Sequence, residues 1–325
     1  MLDFQLFILA IIPILLFIAL GIFLKYIHFL PDTGWYAVEK IIYYILFPAL
    51  LIHSIANIDY NFEDFMPMAA ALNIATLAMF ILSFFAWSNK TLCGARFSSI
   101  LQNNIRFNSF VALTIASQYN AGQFLPLVAI GVGMLIPTVN ILSVWSLVIW
   151  GKSTHKESPF SSLFKNPLLI ACAIGFAIQY FDIPLRTEYH LGLDFGKHIL
   201  EPLAILGKAT IPLALIAVGT GINFELMKTS ASSRIFWALF RNLAFPIIAL
   251  LSCYIFGIQD LNMILATVII TASPTATNSY ILSRQMGGDA PFMASLIGTS
   301  TLISAITLPL IIFIILNSGI LDVAY

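Results

Sequence analysis

Residues 266–289 read ATVIITASPTATNSYILSRQMGGD, an apolar helix that is interrupted by Pro274, several hydroxyl side chains and Asn278 before it resumes. Proline lacks a backbone N–H and clashes with the preceding turn, so carbonyl groups near Ile270 and Thr271 lose their partners. In a membrane such groups are tolerated only where protein or a polar cavity surrounds them. The segment is therefore open to two interpretations: a kinked packing helix, or a substrate site built on a broken helix.

The composition is that of an integral membrane protein. Hydrophobic residues make up 60% of the chain and charged residues 9%, with a mean hydropathy of +0.95, whereas soluble domains are about 25% charged. A membrane-crossing helix needs about 20 apolar residues. Such segments predict ten transmembrane helices, here called spans 1 to 10, at residues 4–24, 35–56, 65–88, 98–119, 123–150, 166–183, 198–221, 235–257, 261–284 and 291–316.

The charged residues predict how the chain is oriented. If the spans alternate, most basic residues fall on one side of the membrane, and only Arg186 and Lys197 fall on the other. Cytoplasmic loops retain Lys and Arg. We therefore expect a multi-pass protein of the plasma (inner) membrane with both termini on the non-cytoplasmic side. The basic residues on the cytoplasmic side are Lys25, Lys40, Lys90, Arg96, Lys152, Lys156, Lys165, Lys228, Arg234 and Arg284.

Several other classes of protein are disfavoured. Cys93, Cys172 and Cys253 form neither a CxxC spacing nor an even set, so neither a disulfide framework nor a metal site is indicated. The formal net charge of zero argues against a nucleic-acid partner. The spans contain no Ser/His pair, paired Asp or HExxH arrangement, and the chain has no glycine-rich phosphate loop. We expect neither an enzyme nor a bound cofactor.

The two halves of the chain share a weak internal repeat. Span 1 contains PILLFIALG at 13–21 and span 6 contains PLLIACAIG at 167–175, while FPALLI around Pro48 in span 2 matches IPLALI around Pro212 in span 7. Asn108-Ser109-Phe110 in span 4 likewise matches Asn278-Ser279-Tyr280 in span 9. Because five is odd, two five-span halves, 1–150 and 166–325, must be inserted oppositely, with 151–165 as a cytoplasmic linker. Inverted repeats of this kind suit alternating access.

Polar residues within the spans concentrate in spans 4 and 9, which the repeat predicts to cross near the middle of the membrane. Asn104 and Asn108 are i, i+4 neighbours and share a helix face. Half-helices that begin after a break present free amides and a positive dipole end, which favour an anion such as a carboxylate. The residues predicted to line the substrate site are Asn104, Asn108, Ser109, Asn140, Pro274, Thr275, Thr277, Asn278 and Ser279.

Three basic residues lie within or near the apolar segments, namely Arg106, Lys208 and Arg241. No Asp or Glu lies deep enough in the spans to pair with them. An unpaired charge at that depth costs at least about 2.5–3.5 kcal/mol on insertion scales, so each needs an explanation. Arg106 and Arg241 either reach a membrane interface or contribute charge to the site. Lys208 either caps carbonyl groups near Pro212 or attracts the ligand.

These residues resemble motifs of the auxin efflux carrier family. Residues 106–113, RFNSFVAL, resemble its RNNGFIGLP segment, and PTATN at 274–278 with Gly-Gly-Asp at 287–289 resembles its PTAVN and YGGD segments. Asn166-Pro167 and the PLAL run that begins at Pro212 also fit the family. One departure concerns span 4, where Thr114 replaces the family's proline and Ala112 its glycine. The resemblance therefore leaves open whether span 4 is broken or continuous.

The resemblance implies a fold similar to that of bile acid:sodium symporters and an elevator-type mechanism. Spans 1, 2, 6 and 7 would form a scaffold, often dimeric, and spans 3–5 and 8–10 a moving transport domain. The implied site lies where spans 4 and 9 cross, with Asn108 and Asn278 hydrogen-bonding the substrate carboxylate and Pro274 making the break in span 9. The family includes plant auxin exporters and bacterial permeases associated with malate and malonate.

From the sequence we expect a secondary carrier that exports small organic anions across the plasma membrane. Its partners would be the anion, the lipid bilayer and a second copy of the chain. One alternative is proton-linked carboxylate uptake, using protonation of the substrate or of His53. The other is a membrane receptor or scaffold that binds a ligand without transporting it.

Overall fold

The computed structural model describes residues 2–56, 62–88, 93–118, 125–152, 167–180, 195–222 and 231–317, and all regular structure in these ranges is helical. The first half contains α1 (Leu2–Tyr26), α2 (Asp32–Ile41), a π-helical turn (Ile42–Leu46), α3 (Phe47–Ala56), α4 (Met66–Leu82), α5 (Gly94–Ile105), α6 (Ser109–Gln118) and α7 (Leu125–Trp150). The second half contains α8 (Pro167–Tyr180), α9 (Phe195–Thr220), α10 (Ala231–Ile255), α11 (Leu261–Ala272), α12 (Asn278–Gln285) and α13 (Ala290–Asn317).

Six stretches of the described helices are long and apolar enough to cross a membrane: Asp32–Ala56, Met66–Trp87, Leu125–Trp150, Glu201–Thr220, Ala231–Ile255 and Ala290–Asn317. Of the other predicted spans, span 1 falls on the 25-residue helix α1, in which Leu15–Tyr26 is a shorter apolar stretch. The described helices of spans 4, 6 and 9 are shorter or broken. The chain is therefore an all-helical, multi-pass membrane protein, and the full count of ten crossings stays a prediction.

The helices pack in two groups, which we call the first and second helix groups. In the first group, α1 and α3 lie against α9, and α3 also lies against α8. In the second group, α10 contacts α4, α5, α11 and α13, α7 contacts α4, α5 and α11, and α6 lies against α7 and α11. Contacts between the groups are fewer and involve mainly α3 with α7, α1 with α6 and α13, α6 with α9, and α7 with α8.

Glycines allow the closest helix crossing in the first group. A Cβ atom on Gly21 of α1 would lie 2.1 Å from the carbonyl oxygen of Ile216, and one on Gly219 of α9 would lie 2.1 Å from that of Ile18. Both distances are far below van der Waals contact, so α1 and α9 approach backbone to backbone. Small residues permit such an approach between membrane helices.

The equivalent position in the second half also makes a close contact. Gly175 of α8 faces α3, where an added Cβ would lie 2.9 Å from the Cβ of Ile55. In the aligned repeats Gly175 corresponds to Gly21, because each lies eight residues after a matched proline. Ile55 corresponds to Gly219, because each lies seven residues after a matched proline. The contact between α1 and α9 therefore has a counterpart in the contact between α8 and α3.

A π-helical turn separates α2 from α3. Phe47 N donates to the carbonyl of Ile42, and Pro48, one residue later, has no N–H to donate to the preceding turn. The hydroxyl of Thr210 on α9 donates to the carbonyl of Leu46 over 2.8 Å, which satisfies a carbonyl at the end of the turn. The turn is thus held by a neighbouring helix of the first group.

Candidate functional site

The fourth predicted span is broken, although it has no proline at the break. Helix α5 ends at Ile105, and Arg106 adopts an extended backbone conformation with φ −83° and ψ 128°. Helix α6 begins at Ser109, and the side-chain oxygen of Asn108 accepts from the amides of Phe110 (3.1 Å) and Val111 (3.3 Å). Asn108 is therefore the N-cap of α6. This settles the question that Thr114 had left open.

The ninth predicted span is broken as the sequence indicated. Helix α11 ends at Ala272, Ser273 is extended with φ −61° and ψ 144°, and α12 begins at Asn278. Pro274 lies in this break and is buried. The hydroxyl of Ser273 donates to the carbonyl of Ile269 over 2.7 Å, so it satisfies one group of the last turn of α11.

The two breaks touch each other through the backbone. Asn108 N donates to the carbonyl oxygen of Pro274 over 2.7 Å. The carboxyl ends of α5 and α11 and the amino ends of α6 and α12 therefore meet at one place, which we call the crossing. Four helix ends supply partial charges of both signs there.

Arg106 extends from the first break to two asparagines on other helices. Its Nη1 donates to Asn140 Oδ1 of α7 over 3.2 Å, and its Nη2 donates to Asn278 Oδ1 of α12 over 3.0 Å. Arg106 is 6% exposed, whereas Asn278 is exposed. The guanidinium is thus hydrogen-bonded to neutral amide oxygens of Asn140 and Asn278.

Three buried polar atoms on residues of the crossing lack a hydrogen-bond partner within the described part of the chain: Arg106 Nε, Asn108 Nδ2 and Ser279 Oγ. All three can donate a hydrogen bond. Buried donors without partners are uncommon in folded proteins, and each calls for a ligand, a water molecule or a functional explanation. The crossing therefore offers unused donors beside a positive charge.

A buried network joins the crossing to the helices of the second group. Thr275 Oγ1 donates to Asn103 Oδ1 over 2.8 Å, Asn103 Nδ2 donates to Asn104 Oδ1 over 2.9 Å, and Asn104 Nδ2 donates to the hydroxyl of Ser83 over 2.8 Å. Asn103, Asn104, Thr275 and Ser83 are all 0% exposed. In this structure Asn104 and Thr275 therefore connect helices.

The remaining predicted residues differ in burial and in their position in the fold. Ser109 and Thr277 are partly buried beside the two breaks, and Ser279 is buried in the first turn of α12. Lys208 is on an exposed face of α9, which continues through Pro212 without a break. Its described neighbour is His53, with which it interacts electrostatically. Of the two roles predicted for Lys208, capping carbonyl groups at a break near Pro212 is disfavoured because the helix there is unbroken.

A small apolar cleft lies on the α6 side of the crossing, between the two helix groups. It is lined by α1, α6 and α13 together with Pro274. Polar groups come from Thr301 and Ser304 on α13. The cleft borders the crossing through Pro274 and is mainly apolar.

Sequence reasoning missed three residues that support the site: Asn103, Asn242 and Ser300. Asn242 Nδ2 donates to the carbonyl of Ser300 over 2.9 Å, and the hydroxyl of Ser300 donates back to Asn242 Oδ1 over 2.9 Å. Asn103 and Asn242 each stand beside a residue that was singled out, Asn104 and Arg241. An amide next to another deep polar residue was the available signal.

The Gly-Gly-Asp motif forms a turn at one end of the second helix group. Gly287 has φ +75°, a conformation that favours glycine. Asp289 N donates to the carbonyl of Ala95 over 3.1 Å, and Lys152 N donates to that of Gly287 over 2.8 Å. The Asp289 carboxylate accepts from Phe292 N over 3.1 Å and caps α13. The motif joins α5, α7 and α13, so its role here is structural.

Comparison with known proteins found one matching family model and two similar sequences. A family model described as "Membrane transport protein" matches residues 155–312. An uncharacterized transporter of Methanocaldococcus jannaschii is 22% identical over 318 residues, which cover 95% of this chain and 98% of the relative. An uncharacterized transporter of Methanothermobacter thermautotrophicus is 29% identical over 108 residues, 33% of this chain, and the match spans 35% of that relative's length.

The helical membrane fold and these matches define the class as a membrane transporter. These matches confirm the resemblance to transporters of the auxin efflux carrier family that the sequence motifs indicated.

Proposed function

We propose that the protein is a secondary transporter of small organic anions, with carboxylates as the substrate class. The observation that carries the proposal is Arg106, a buried cation whose partners at the crossing are the neutral oxygens of Asn140 and Asn278. Unpaired charge inside a membrane protein marks the path of a substrate or ion. A carboxylate accepts two hydrogen bonds from a guanidinium, so it can replace both amide oxygens.

The unused donors around Arg106 support an anionic ligand over a neutral or cationic one. Asn108 Nδ2 and Ser279 Oγ, both buried, can each donate to a carboxylate oxygen. The amino ends of α6 and α12 add positive partial charge at the same place. Asn278 is exposed, so this face of the crossing is open to an incoming substrate.

The proposed mechanism is elevator-type alternating access by two inverted five-helix repeats. It is supported by the paired contacts of Gly21 with α9 and Gly175 with α3, and by the broken helices at matched positions in the two halves. The first helix group would be the scaffold and the second the transport domain, since contacts within each group exceed those between them. Residues 1–150 and 166–325 form the two repeats, and dimerisation through the scaffold remains a prediction.

The membrane potential is the proposed driving force for export from the cell across the plasma membrane, with both termini outside. An inside-negative potential drives one anionic charge outward by about 2.3 kcal/mol per 100 mV. Proteoliposomes loaded with radiolabelled malate, malonate or indole-3-acetate test this proposal. Efflux of at least one of them should accelerate when valinomycin and a potassium gradient make the lumen negative, and should slow when the gradient is reversed. Efflux unaffected by the potential would exclude this mechanism.

Replacing Asn278 with alanine should lower transport about fivefold, because it removes one hydrogen bond, worth about 1 kcal/mol, that the side-chain amide of Asn278 would donate to the bound carboxylate. Folding should not change, since Asn278 is exposed. Initial transport rates and the thermal unfolding midpoint in detergent measure the two effects.

The matched control is Asn317→Ala, which removes the same atoms from an exposed position at the end of α13. It should transport like wild type. Wild-type kinetics in Asn278→Ala would remove Asn278 from the proposed site.

A further inference from the structure

Arg241 is a second buried cation, behind the crossing. It lies on α10, is 0% exposed and is among the largest fully buried side chains. Its Nη1 donates to Asn242 Oδ1 over 3.1 Å, and its Nη2 donates to the backbone carbonyl of Arg106 over 3.3 Å. The ring of Phe245 lies 5.9 Å from the guanidinium carbon. These partners are neutral, so the positive charge must be balanced in another way.

The carboxyl end of α5 supplies that balance. The last carbonyl groups of a helix carry negative partial charge and lack intrahelical donors. The break after Ile105 leaves the Arg106 carbonyl outside the helix, where the Arg241 guanidinium donates to it. In transporters with discontinuous helices, such half-helix carboxyl ends and unwound carbonyls are the groups that bind a coupling cation.

Arg241 also connects the first break to the second. Its partner Asn242 accepts from the hydroxyl of Ser300 on α13 over 2.9 Å. That hydroxyl in turn accepts from the backbone amide of Thr275 over 3.2 Å. A continuous chain of hydrogen bonds therefore runs from the Arg106 carbonyl through Arg241, Asn242 and Ser300 to the break that contains Pro274.

We propose that Arg241 is a built-in cation, a positioning residue that occupies the place of a coupling ion and holds the two helix breaks in the geometry that the anion site requires. The proposal rests on the proposed function for its consequence in transport: the anion moves without a co-transported cation. The structural part of the Arg241 proposal, a cation site between the carboxyl end of α5 and Asn242, does not depend on the proposed transport function. Wild-type transport should accordingly be equal in sodium, potassium and choline buffers.

Chemical rescue of Arg241→Ala tests the proposal. The truncation leaves a cavity with the shape and hydrogen-bond acceptors for a free guanidinium ion. We expect a lower thermal unfolding midpoint and transport reduced by about tenfold or more, and we expect millimolar guanidinium or sodium to raise both. Arg241→Lys keeps the positive charge, so added ions should raise its unfolding midpoint and its transport rate less than those of Arg241→Ala. Wild type and Arg284→Ala, which removes an exposed arginine from α12, should not respond to these ions.

Two further measurements cover poor folding and separate the two proposals. If Arg241→Ala is unstable, purification with and without guanidinium shows whether the ion increases the folded fraction, as expected. Unfolding midpoints are measured without substrate, so rescue of stability alone supports the cation site even if no anion is transported. Folded Arg241→Ala or Arg241→Met that is indifferent to added cations, or wild-type transport that requires sodium, would overturn the proposal.

Discussion

Arg106→Gln is expected to reduce anion transport to near the background of protein-free liposomes. Glutamine keeps hydrogen-bonding capacity and much of the side-chain length, but it removes the positive charge that Asn140 and Asn278 hold at the crossing. Hydrogen bonds to a charged group contribute about 1.5–3 kcal/mol, and each 1.4 kcal/mol is about a factor of ten in affinity. Loss of this contact should therefore weaken substrate binding by about 10- to 100-fold.

Counterflow in proteoliposomes with radiolabelled carboxylate measures this effect. Because buried Arg106 carries a desolvation penalty, the glutamine variant should fold at least as well as wild type, so its thermal unfolding midpoint is recorded in parallel. Arg284→Gln makes the same chemical change on an exposed face of α12 and should transport normally. A fully active Arg106→Gln would show that the charge does not bind the substrate.

Gly219→Val is expected to prevent normal folding. Even the first added carbon would lie 2.1 Å from the Ile18 carbonyl oxygen and 3.0 Å from the Gly21 Cα, and both neighbours are backbone atoms that cannot rotate away. The two helices must separate, so we expect a loss of about 3 kcal/mol or more, at the upper end of overpacking effects. The monodisperse fraction after detergent extraction and the thermal unfolding midpoint report the loss.

Gly221→Ala is the control for this substitution. It lies two residues further along the chain, and an added Cβ would lie 3.4 Å from the carbonyl oxygen of Val218, an ordinary contact. It should behave as wild type. If Gly219→Val is extracted as a monodisperse protein with an unchanged midpoint, α1 and α9 do not cross as closely as the structure indicates.

The sequence predicted the helical class, the break in span 9 and the meeting of Asn108 with the Pro274 segment, because hydropathy and a deep proline are strong local signals. It did not predict the main-chain bond between Asn108 and Pro274, and it could not decide whether span 4 is broken. Proline proved to be neither sufficient nor necessary for a break. Helix α9 continues through Pro202 and Pro212, whereas span 4 breaks beside the Asn108 cap and the carbonyl contact from Arg241.

The roles of single polar residues were harder to predict, because each depends on partners from distant parts of the chain. Asn104 and Asn108 share a helix face in an unbroken helix, but the break at Arg106 separates them. Asn104 is paired with Asn103 and Ser83. From its position in span 4, Arg106 could have reached the membrane–water interface. In the structure it instead donates hydrogen bonds to side chains of α7 and α12. Such tertiary contacts have no signature in local sequence.

The bond between the amide of Asn108 and the carbonyl of Pro274 has an evolutionary consequence. It joins main-chain atoms, so any amino acid except proline at position 108 retains its donor. Substitutions around the crossing can thus accumulate in evolution and change its side-chain chemistry while this main-chain junction is retained.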